Sequence, residues 1–275
     1  MLRLWRDQLS LAIAPDRVIL VRSSGGLRPK LIAKAIVPVS ATEAGWGPAL
    51  EMLAKTLRSD AQWQNAAVSV VVSNSFVRYQ LVPWSDEISG PEERAAYVRQ
   101  SFTQVYGEAV AEWDYAVSEA VRGASWFACA MDRDLLTQLE TAVAQTGSKL
   151  VSVAPHLMPA FNNARRSIKN KDCWFVQVEK DRLLLALILG GRWLMVSSRQ
   201  IAGEHWQQEL PLLLDREWRL NGMREVSRVV VISAPEANQG VLDGAGKWVF
   251  HWLRPNLRYG LAVRAHAPYA MAVGA

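Results

Sequence analysis

One order of predicted elements occurs twice along this chain. Apolar runs at residues 9–14, 17–22 and 30–39, separated by turn residues, predict three strands. A helix at residues 47–58 follows them, because apolar residues recur there at helical spacing. A continuous apolar run after this helix then predicts a buried strand. Three strands, a helix and a strand return from Cys173 onward. The halves share element order without residue-level identity, which predicts a duplicated α/β fold.

The last strand of the first repeat is followed by an extra strand and a helix. Residues 68–73 and 76–82 predict two strands that we expect to pair as a hairpin. A helix then begins near Pro91, because proline and the acids after it suit a first turn. The predicted apolar face of this helix consists of Ala95, Val98, Phe102 and Val105.

The composition indicates a folded protein without a cysteine framework. Half of the residues are hydrophobic and 21% are charged, which excludes disordered and collagen-like chains. Two cysteines exclude a disulfide scaffold, and Cys129 and Cys173 lie in apolar runs, so we expect buried free thiols. The four histidines are scattered without metal-ligand spacing, so we expect no metal site.

The net charge of +5 is unevenly distributed. Residues 1–160 carry a net charge of −1 and residues 161–275 a net charge of +6. Arg165, Arg166 and their lysine neighbours form a cluster in a predicted linker. No dense basic stripe with exposed aromatics is present, so we expect no nucleic-acid binding. A solvated surface explains the excess, and contact with anionic lipid or an acidic partner is the alternative.

No apolar stretch approaches the roughly 20 residues that a membrane-spanning helix needs. The start of the chain imitates a signal peptide, but Asp7 and Pro15 interrupt its apolar segment. We therefore expect a cytoplasmic protein. Gly246-Lys247 imitates a phosphate-binding loop, but Trp248 stands where that motif needs a hydroxyl, so a loop before a strand is the better interpretation.

Several consecutive segments together resemble one protein family. They are the buried run 68–73, the segment 77–83 ending in Leu-Val-Pro, Trp113-Asp-Tyr-Ala-Val117, and the passage 127–153 from Phe-Ala-Cys-Ala to Gly-Ser-Lys-Leu-Val-Ser-Val. In order and spacing they resemble the type IV pilus assembly protein PilM and its relatives in type II secretion and competence systems. That resemblance implies the duplicated actin-like (ASKHA) ATPase fold.

The resemblance also implies a division of the chain. Residues 1–165 would form a first lobe with an inserted subdomain at about 74–148, and residues 166–275 a second lobe. The predicted helix 204–220 runs almost directly into the next strand, so the insertion usual in the second lobe is expected to be reduced.

Three nucleotide-binding elements of the family are altered in this sequence. The phosphate hairpins read Ala-Ile-Ala-Pro-Asp at residues 12–16 and Gln-Val-Glu-Lys-Asp at residues 177–181, and the adenosine segment reads Ser-Ala-Pro-Glu at residues 233–236. Phosphate hairpins need glycine for close backbone approach and an acid to position a metal or water. We therefore expect no nucleotide cofactor, no catalytic residues and no enzymatic activity.

The resemblance implies a cytoplasmic scaffold, peripheral to the inner membrane through its partners. Its partner would be the short cytoplasmic tail of a PilN-like membrane protein, held in a groove whose walls are strand 76–82 and helix 92–106. Tyr79, Leu81 and Trp84 are the predicted contacts. Trp84 precedes a polar segment, so it is either an exposed anchor or a cap on the edge of the core.

Two other functions remain open from the sequence. One is a divergent ATPase or sugar kinase of the same fold, and the other is a basic module that docks on a membrane surface through its second half. The choice between a pilus and a secretion machine is open as well, as are the oligomeric state and binding of a nucleotide by unorthodox contacts.

Overall fold

The computed structural model describes residues 6–40, 45–118, 121–168, 171–201, 206–221, 226–233, 242 and 246–274. The strands of this part of the chain are β1 (Gln8–Ala14), β2 (Arg17–Ser23), β3 (Leu31–Pro38), β4 (Ala67–Val72), β5 (Val77–Val82), β6 (Trp113–Val117), β7 (Trp126–Asp132), β8 (Lys149–Pro155), β9 (Cys173–Val178), β10 (Arg182–Leu189), β11 (Arg192–Gln200), β12 (Arg228–Ser233) and β13 (Val249–Trp252). Its α-helices are α1 (Gly47–Ser59), α2 (Pro91–Tyr106), α3 (Arg133–Ala144), α4 (Leu157–Ile168), α5 (Trp206–Asn221), α6 (Val263–His266) and α7 (Ala270–Val273).

Two five-stranded sheets follow the same plan. The first has the strand order β3-β2-β1-β4-β8 and the second the order β11-β10-β9-β12-β13. In each sheet three antiparallel strands are followed by two strands that pair in parallel. The predicted duplication of three strands, a helix and a strand is therefore confirmed, and so is the α/β class.

The most apolar strands lie in the middle of these sheets. Strand β1 is buried from Leu9 to Ala14, and every residue of β9 is buried. The outer strand β3 instead alternates between half-buried and exposed positions along much of its length. A continuous apolar run suits a strand covered on both faces, whereas alternation suits one covered on a single face.

Helix α3 begins with a side-chain cap and ends shortly before a glycine. The Asp132 carboxylate accepts a hydrogen bond of 2.9 Å from the Asp134 backbone N–H, so Asp132 is the N-cap. Leu135, Leu139 and Val143 form the buried face of the helix. The chain leaves it through Gly147, whose φ of +66° lies in the left-handed region that favours glycine.

The predicted hairpin of residues 68–73 with 76–82 is wrong. Strand β4 pairs on one side with β1 and on the other with β8, so neither of its edges is left for β5. A short 3₁₀ turn at Asn74–Phe76, where the Ser73 hydroxyl accepts from the Ser75 N–H at 3.1 Å, separates the two strands. Strand β5 belongs to a third sheet of order β5-β7-β6.

Helix α2 presents a different face from the one predicted. Val98 and Phe102 are buried as expected, but Ala95 is exposed and Val105 is 62% exposed. The prediction was therefore right for two of the four positions and wrong for the other two.

Aromatic side chains account for this rotation of α2. The Tyr97 ring lies 6.2 Å from the Trp126 ring, and the Tyr106 ring lies 5.3 Å from that of Trp113. Because an aromatic ring buries far more apolar surface than alanine or valine, the helix turns its tyrosines toward the sheet.

The basic cluster predicted for a linker begins inside a helix. Arg165 and Arg166 occupy the last turn of α4, where the helix dipole favours positive charge. The predicted linker therefore starts later than expected, and Lys169 lies outside the described residues.

Helix α5 runs into the next strand with little between them. Trp206, Leu210 and Leu214 are buried against the second sheet. Strand β12 begins at Arg228, shortly after the helix ends at Asn221. This short connection agrees with the predicted reduction of the second-lobe insertion.

The chain divides into two compact units, each of which is discontinuous in the sequence. Unit 1 contains Met1–Val77, Met131–Asn163 and Pro255–Ala275, and unit 2 contains Arg78–Ala130 and Ala164–Arg254. Residues near the end of the chain belong to unit 1 because they pack against the first sheet, as Leu257 and Val273 do. These units follow packing rather than chain order, and the division into lobes at residue 165 stays a prediction.

Candidate functional site

Strand β5, which carries two of the three predicted contact residues, lies at an edge of the third sheet. Successive residues of a strand point to opposite faces of the sheet. Val82 packs with Phe102 of α2 in one core, and the Gln80 side-chain amide donates a hydrogen bond of 3.3 Å to the Ser101 carbonyl of the same helix. The even-numbered residues of β5 therefore face α2, and the odd-numbered residues face away from it.

Tyr79 is a core residue. It is only 7% exposed, and its ring lies 5.8 Å from that of Phe127 on β7. The Phe127 ring in turn lies 4.8 Å from the Trp193 ring on β11. The three rings form a ladder inside unit 2 that joins the third sheet to the second sheet. Phe127 and Trp193 carry no sequence signal for this contact, because residues from separate strands meet only in the folded chain.

Leu81 is half-buried on the same side of β5 as Tyr79. It keeps surface that another chain could cover. Tyr79 and Leu81 thus lie on the side of the sheet opposite α2, so β5 and α2 do not form two walls around them. The feature that β5 and α2 share is instead the edge of β5. Leu81 lies on one face of the sheet at this edge, and α2 lies on the other face.

Trp84 lies at the margin of the core that α2 and the third sheet enclose. Its ring is half-buried and lies 5.2 Å from the Trp126 ring. The Arg94 guanidinium stacks over the same Trp126 ring at 5.7 Å. The Trp84 indole Nε1 is buried, and no acceptor for it exists among the described residues. This placement favours the core-edge interpretation of Trp84 over a fully exposed anchor.

The N-terminus of α2 is closed by its own acid. The Glu93 carboxylate accepts hydrogen bonds from the backbone N–H groups of Ser89 at 2.9 Å and Gly90 at 3.3 Å. These bonds stabilise the ionised form and lower the pKa of Glu93 below its usual range. The backbone N–H groups of the two residues before α2 are therefore satisfied by a side chain of the helix itself.

The first hairpin, where the resemblance to PilM-like proteins implies a phosphate hairpin, is a tight turn without glycine. Ala14 pairs with Arg17, so Pro15 and Asp16 alone make the turn. The Asp16 carboxylate lies 3.8 Å from the Arg17 guanidinium. The acid of this turn therefore faces a neighbouring cation.

The second hairpin also carries side chains where the family has glycine. Its loop is closed by a backbone hydrogen bond of 2.8 Å from the Glu179 N–H to the Arg182 carbonyl. Burial lowers the pKa of Arg182, and the positive charge of Arg78 lowers it further, while Glu179 and Asp181 raise it. The adenosine segment at residues 234–236 lies outside the described residues.

The remaining chemically active side chains are accounted for by packing. The Lys247 ammonium donates to the Asp215 carboxylate at 2.6 Å and lies 4.1 Å from the Trp218 ring, as expected for a loop residue before a strand. Cys129 and Cys173 are buried free thiols, as predicted, and burial raises the pKa of each to about 11. Within the described ranges, histidine, cysteine and acidic side chains form no group of three that could hold a metal ion.

The described helices include none that is long and apolar enough to cross a membrane. No family profile and no curated protein sequence matches this chain. Similarity is found at the level of structure.

Three solved structures resemble this chain over nearly its whole length. A chain of a PilM-PilN type IV pilus biogenesis complex matches with a TM-score of 0.66 at 14% identity, covering 97% of this chain and 90% of that one. A Bacteroides thetaiotaomicron protein of actin-like ATPase fold and unknown function matches with a TM-score of 0.62 at 10% identity, covering 96% of each chain. The cytoplasmic domain of EpsL, an inner-membrane component of the type II secretion system of Vibrio cholerae, matches with a TM-score of 0.59 at 13% identity, covering 90% of each chain.

These similarities agree with the duplicated sheets and with the resemblance found in the sequence. At such low identity they establish the fold. This chain has the actin-like ATPase fold, in a form similar to that of the PilM-PilN complex chain and the cytoplasmic domain of EpsL.

Proposed function

We propose that this chain is a scaffold of a type IV pilus or type II secretion platform at the inner membrane. The observation that carries the proposal is the match to a chain of the PilM-PilN complex along nearly the full length of both chains. The match to the cytoplasmic domain of EpsL supports the same setting. The partner would be the cytoplasmic tail of a PilN-like membrane protein, which would hold the chain peripherally at the membrane.

The edge of β5 is the place where such a tail would bind. An extended peptide can add to an exposed sheet edge through main-chain hydrogen bonds, with pockets for alternate side chains. Leu81 keeps surface for one side of the peptide, and the exposed apolar Val105 on α2 lies on the other side of the sheet. Tyr79 is too deeply buried to be covered by a peptide, so its role would be to hold β5 in place against Phe127.

Trp84 would contribute at the margin of this site. It follows β5 directly, and its half-buried ring keeps an accessible side. Its contact with Trp126 also stabilises the subdomain, so its removal affects the fold as well as binding. Leu81 is therefore the sharper residue for a binding test.

The same proposal includes the absence of ATP hydrolysis. The turn of the first hairpin is Pro15-Asp16, and the second hairpin carries Glu179, Lys180 and Asp181, so neither offers a glycine whose backbone N–H could approach a phosphate. The one acid in the first turn faces Arg17. These features support a structural rather than a catalytic role.

The test is calorimetric titration with the tail peptide of the PilN-like protein from the same source. Leu81→Lys is expected to weaken binding at least about tenfold, since a charge would replace an apolar contact at the strand edge. Ala116→Lys on β6, the other edge of the same sheet, is the matched control and is expected to bind like the unaltered chain. Equal affinity for all three chains would refute binding at β5, and no binding by any of them would refute the proposed partner.

A further inference from the structure

The loop between β2 and β3 is held in a defined conformation. We call residues 24–30 the Leu27 loop. The Ser24 N–H donates to the Lys30 carbonyl at 2.8 Å, and the Lys30 N–H donates to the Ser24 hydroxyl at 2.9 Å. Gly26 adopts a φ of +103°, which favours glycine, and Pro29 restricts the backbone further. Hydrogen bonds therefore close the base of the loop, and Gly26 and Pro29 restrict the backbone at its tip.

This ordered loop exposes an apolar side chain at its tip. Leu27 is 94% exposed, more than any other large hydrophobic residue among those the structure describes. Arg28, Pro29 and Lys30 beside it are also exposed. Ile32, at the start of the following strand, is 52% exposed. A single exposed leucine is ordinary, but here a closed loop holds it next to two exposed cations, Arg28 and Lys30.

The cations of the Leu27 loop have no acid close to them in the sequence. The chain contains no aspartate or glutamate from Arg17 to Thr42. Asp7 lies at the base of the loop, but its carboxylate accepts hydrogen bonds from the Arg22 guanidinium at 2.7 Å and 3.0 Å. The same carboxylate lies 3.4 Å from the Gly25 N–H. Asp7 is thus engaged in holding the loop, and no ion pair of Arg28 or Lys30 is found in the part of the chain that the structure describes.

We propose that the Leu27 loop docks on an anionic lipid surface, with Leu27 inserted among the headgroups and Arg28 and Lys30 against their phosphates. A projecting leucine followed by two cations suits an anionic bilayer, whose headgroup layer is negatively charged and whose interior is apolar. A protein partner would instead cover a wider apolar patch around a buried anchor, and the neighbours of Leu27 in the loop are serine, glycine, proline and two cations.

One inserted leucine and two cations bind weakly by themselves. Such a contact contributes more to membrane binding when a second attachment already holds the chain near the bilayer, because the local concentration of lipid is then high. The inference goes beyond the proposed function and does not depend on it. It concerns the first sheet, it needs no partner protein, and its test uses vesicles alone.

The first test places an environment-sensitive fluorophore on Leu27→Cys and, as a matched control, on the exposed Gln138→Cys of α3. Cys129 and Cys173 are buried with raised pKa, so they do not compete for the label. Vesicles rich in phosphatidylglycerol are expected to shift the emission at position 27 to the blue and to leave position 138 unchanged. Phosphatidylcholine vesicles are expected to shift neither, and about 1 M salt, with a Debye length of about 3 Å, is expected to abolish the effect.

The second test is co-sedimentation of unlabelled chains with phosphatidylglycerol vesicles at millimolar lipid. Leu27→Ser is expected to lower the partition coefficient about tenfold, the effect of losing one buried leucine. Arg28→Glu with Lys30→Glu is expected to lower it at least as much. Lys55→Glu with Arg58→Glu on the exposed face of α1 changes the net charge equally and is expected to have less than about a twofold effect. All these side chains are exposed, so the variants are expected to stay folded, and their thermal unfolding checks this.

Several results would overturn the proposal. They are an unshifted label at position 27, equal binding to phosphatidylcholine, and an equal loss in the α1 control, which would indicate net charge alone. A loss on charge reversal without any loss for Leu27→Ser would point to an acidic protein partner instead. A blue shift that grows with protein concentration in the absence of vesicles would point to self-association.

Discussion

A β-carbon placed on Gly147 would lie 2.5 Å from Oδ1 of Asn65. Gly147 precedes β8 and Asn65 precedes β4, two neighbouring strands of the first sheet. Both residues have positive φ, +66° for Gly147 and +58° for Asn65, and the Asn65 N–H donates to the Thr146 carbonyl at 3.1 Å. Two turns far apart in the sequence therefore interlock where parallel strands enter the sheet.

Gly147→Ala is expected to lower the free energy of unfolding by about 2 kcal/mol. Part of the loss comes from an alanine held at positive φ, and the rest from displacement of the Asn65 side chain. Urea denaturation monitored by circular dichroism measures it.

Gly260→Ala is the control for that measurement. Gly260 has the same φ of +66°, but no atom of the described residues lies within 4 Å of a β-carbon placed there. It should lose only about 1 kcal/mol, from backbone strain alone. If both variants lost the same amount, the contact with Asn65 would contribute nothing. Asn65→Gly removes the contacting side chain and suits the φ of +58°, so in the Gly147→Ala background it should reduce the loss to about that of Gly260→Ala.

The contact between Phe127 and Trp193 is expected to couple the third sheet to the second sheet energetically. Their rings lie 4.8 Å apart at an angle of 49°. In a double-mutant cycle, the chain with both Phe127→Ala and Trp193→Ala should lose about 0.5–1.5 kcal/mol less stability than the sum of the two single losses, because each single change already removes the shared contact. Strict additivity in urea denaturation would show that the two sheets are stabilised independently.

The two buried thiols are expected to make stability depend on alkaline pH. Burial raises the pKa of Cys129 and Cys173 from 9.0 to about 11, so the folded chain keeps protons that the unfolded chain releases. Their contribution to the free energy of unfolding is complete below pH 9.0 and is lost as the pH rises through about 11.

Urea denaturation across this pH range checks the expectation, with Cys129→Ala/Cys173→Ala as the reference chain. The unaltered chain should lose more stability than the reference between pH 9.0 and about 11. An equal loss of stability in both chains over this pH range would contradict the assignment of the pH dependence to the two thiols. A thiol reagent at neutral pH should react with both cysteines only after unfolding.

Magnesium and ATP are expected to leave the thermal unfolding of this chain unchanged. A ligand about 100-fold above its dissociation constant adds about 2.7 kcal/mol to the stability of the folded state, which is readily detected. Magnesium without ATP is the control for ion effects. A clear shift would revive the divergent ATPase or sugar kinase, because some other set of contacts would then hold the nucleotide despite the altered hairpins.

The sequence predicted the repeated elements because their signals are local. The buried runs of β1 and β9, the N-cap at Asp132 and the apolar stripe of α5 each follow from residues close together in the chain. The duplicated order of such elements restricts the topology strongly, which is why the fold class and the resemblance to the PilM family were confirmed.

The candidate site was less predictable because it depends on pairing between distant segments. Adjacent strand patterns at residues 68–73 and 76–82 suggested a hairpin, yet β4 found both of its partners elsewhere and β5 joined another sheet. The rotation of α2 was settled by tyrosines meeting Trp126 and Trp113 from other strands. Whether Tyr79 was a contact or a core residue could not be read from its neighbours in sequence, because Phe127 buries it only once the sheet has formed. Local periodicity thus specifies elements, whereas burial against distant side chains decides which surfaces of β5 and α2 remain available to a partner.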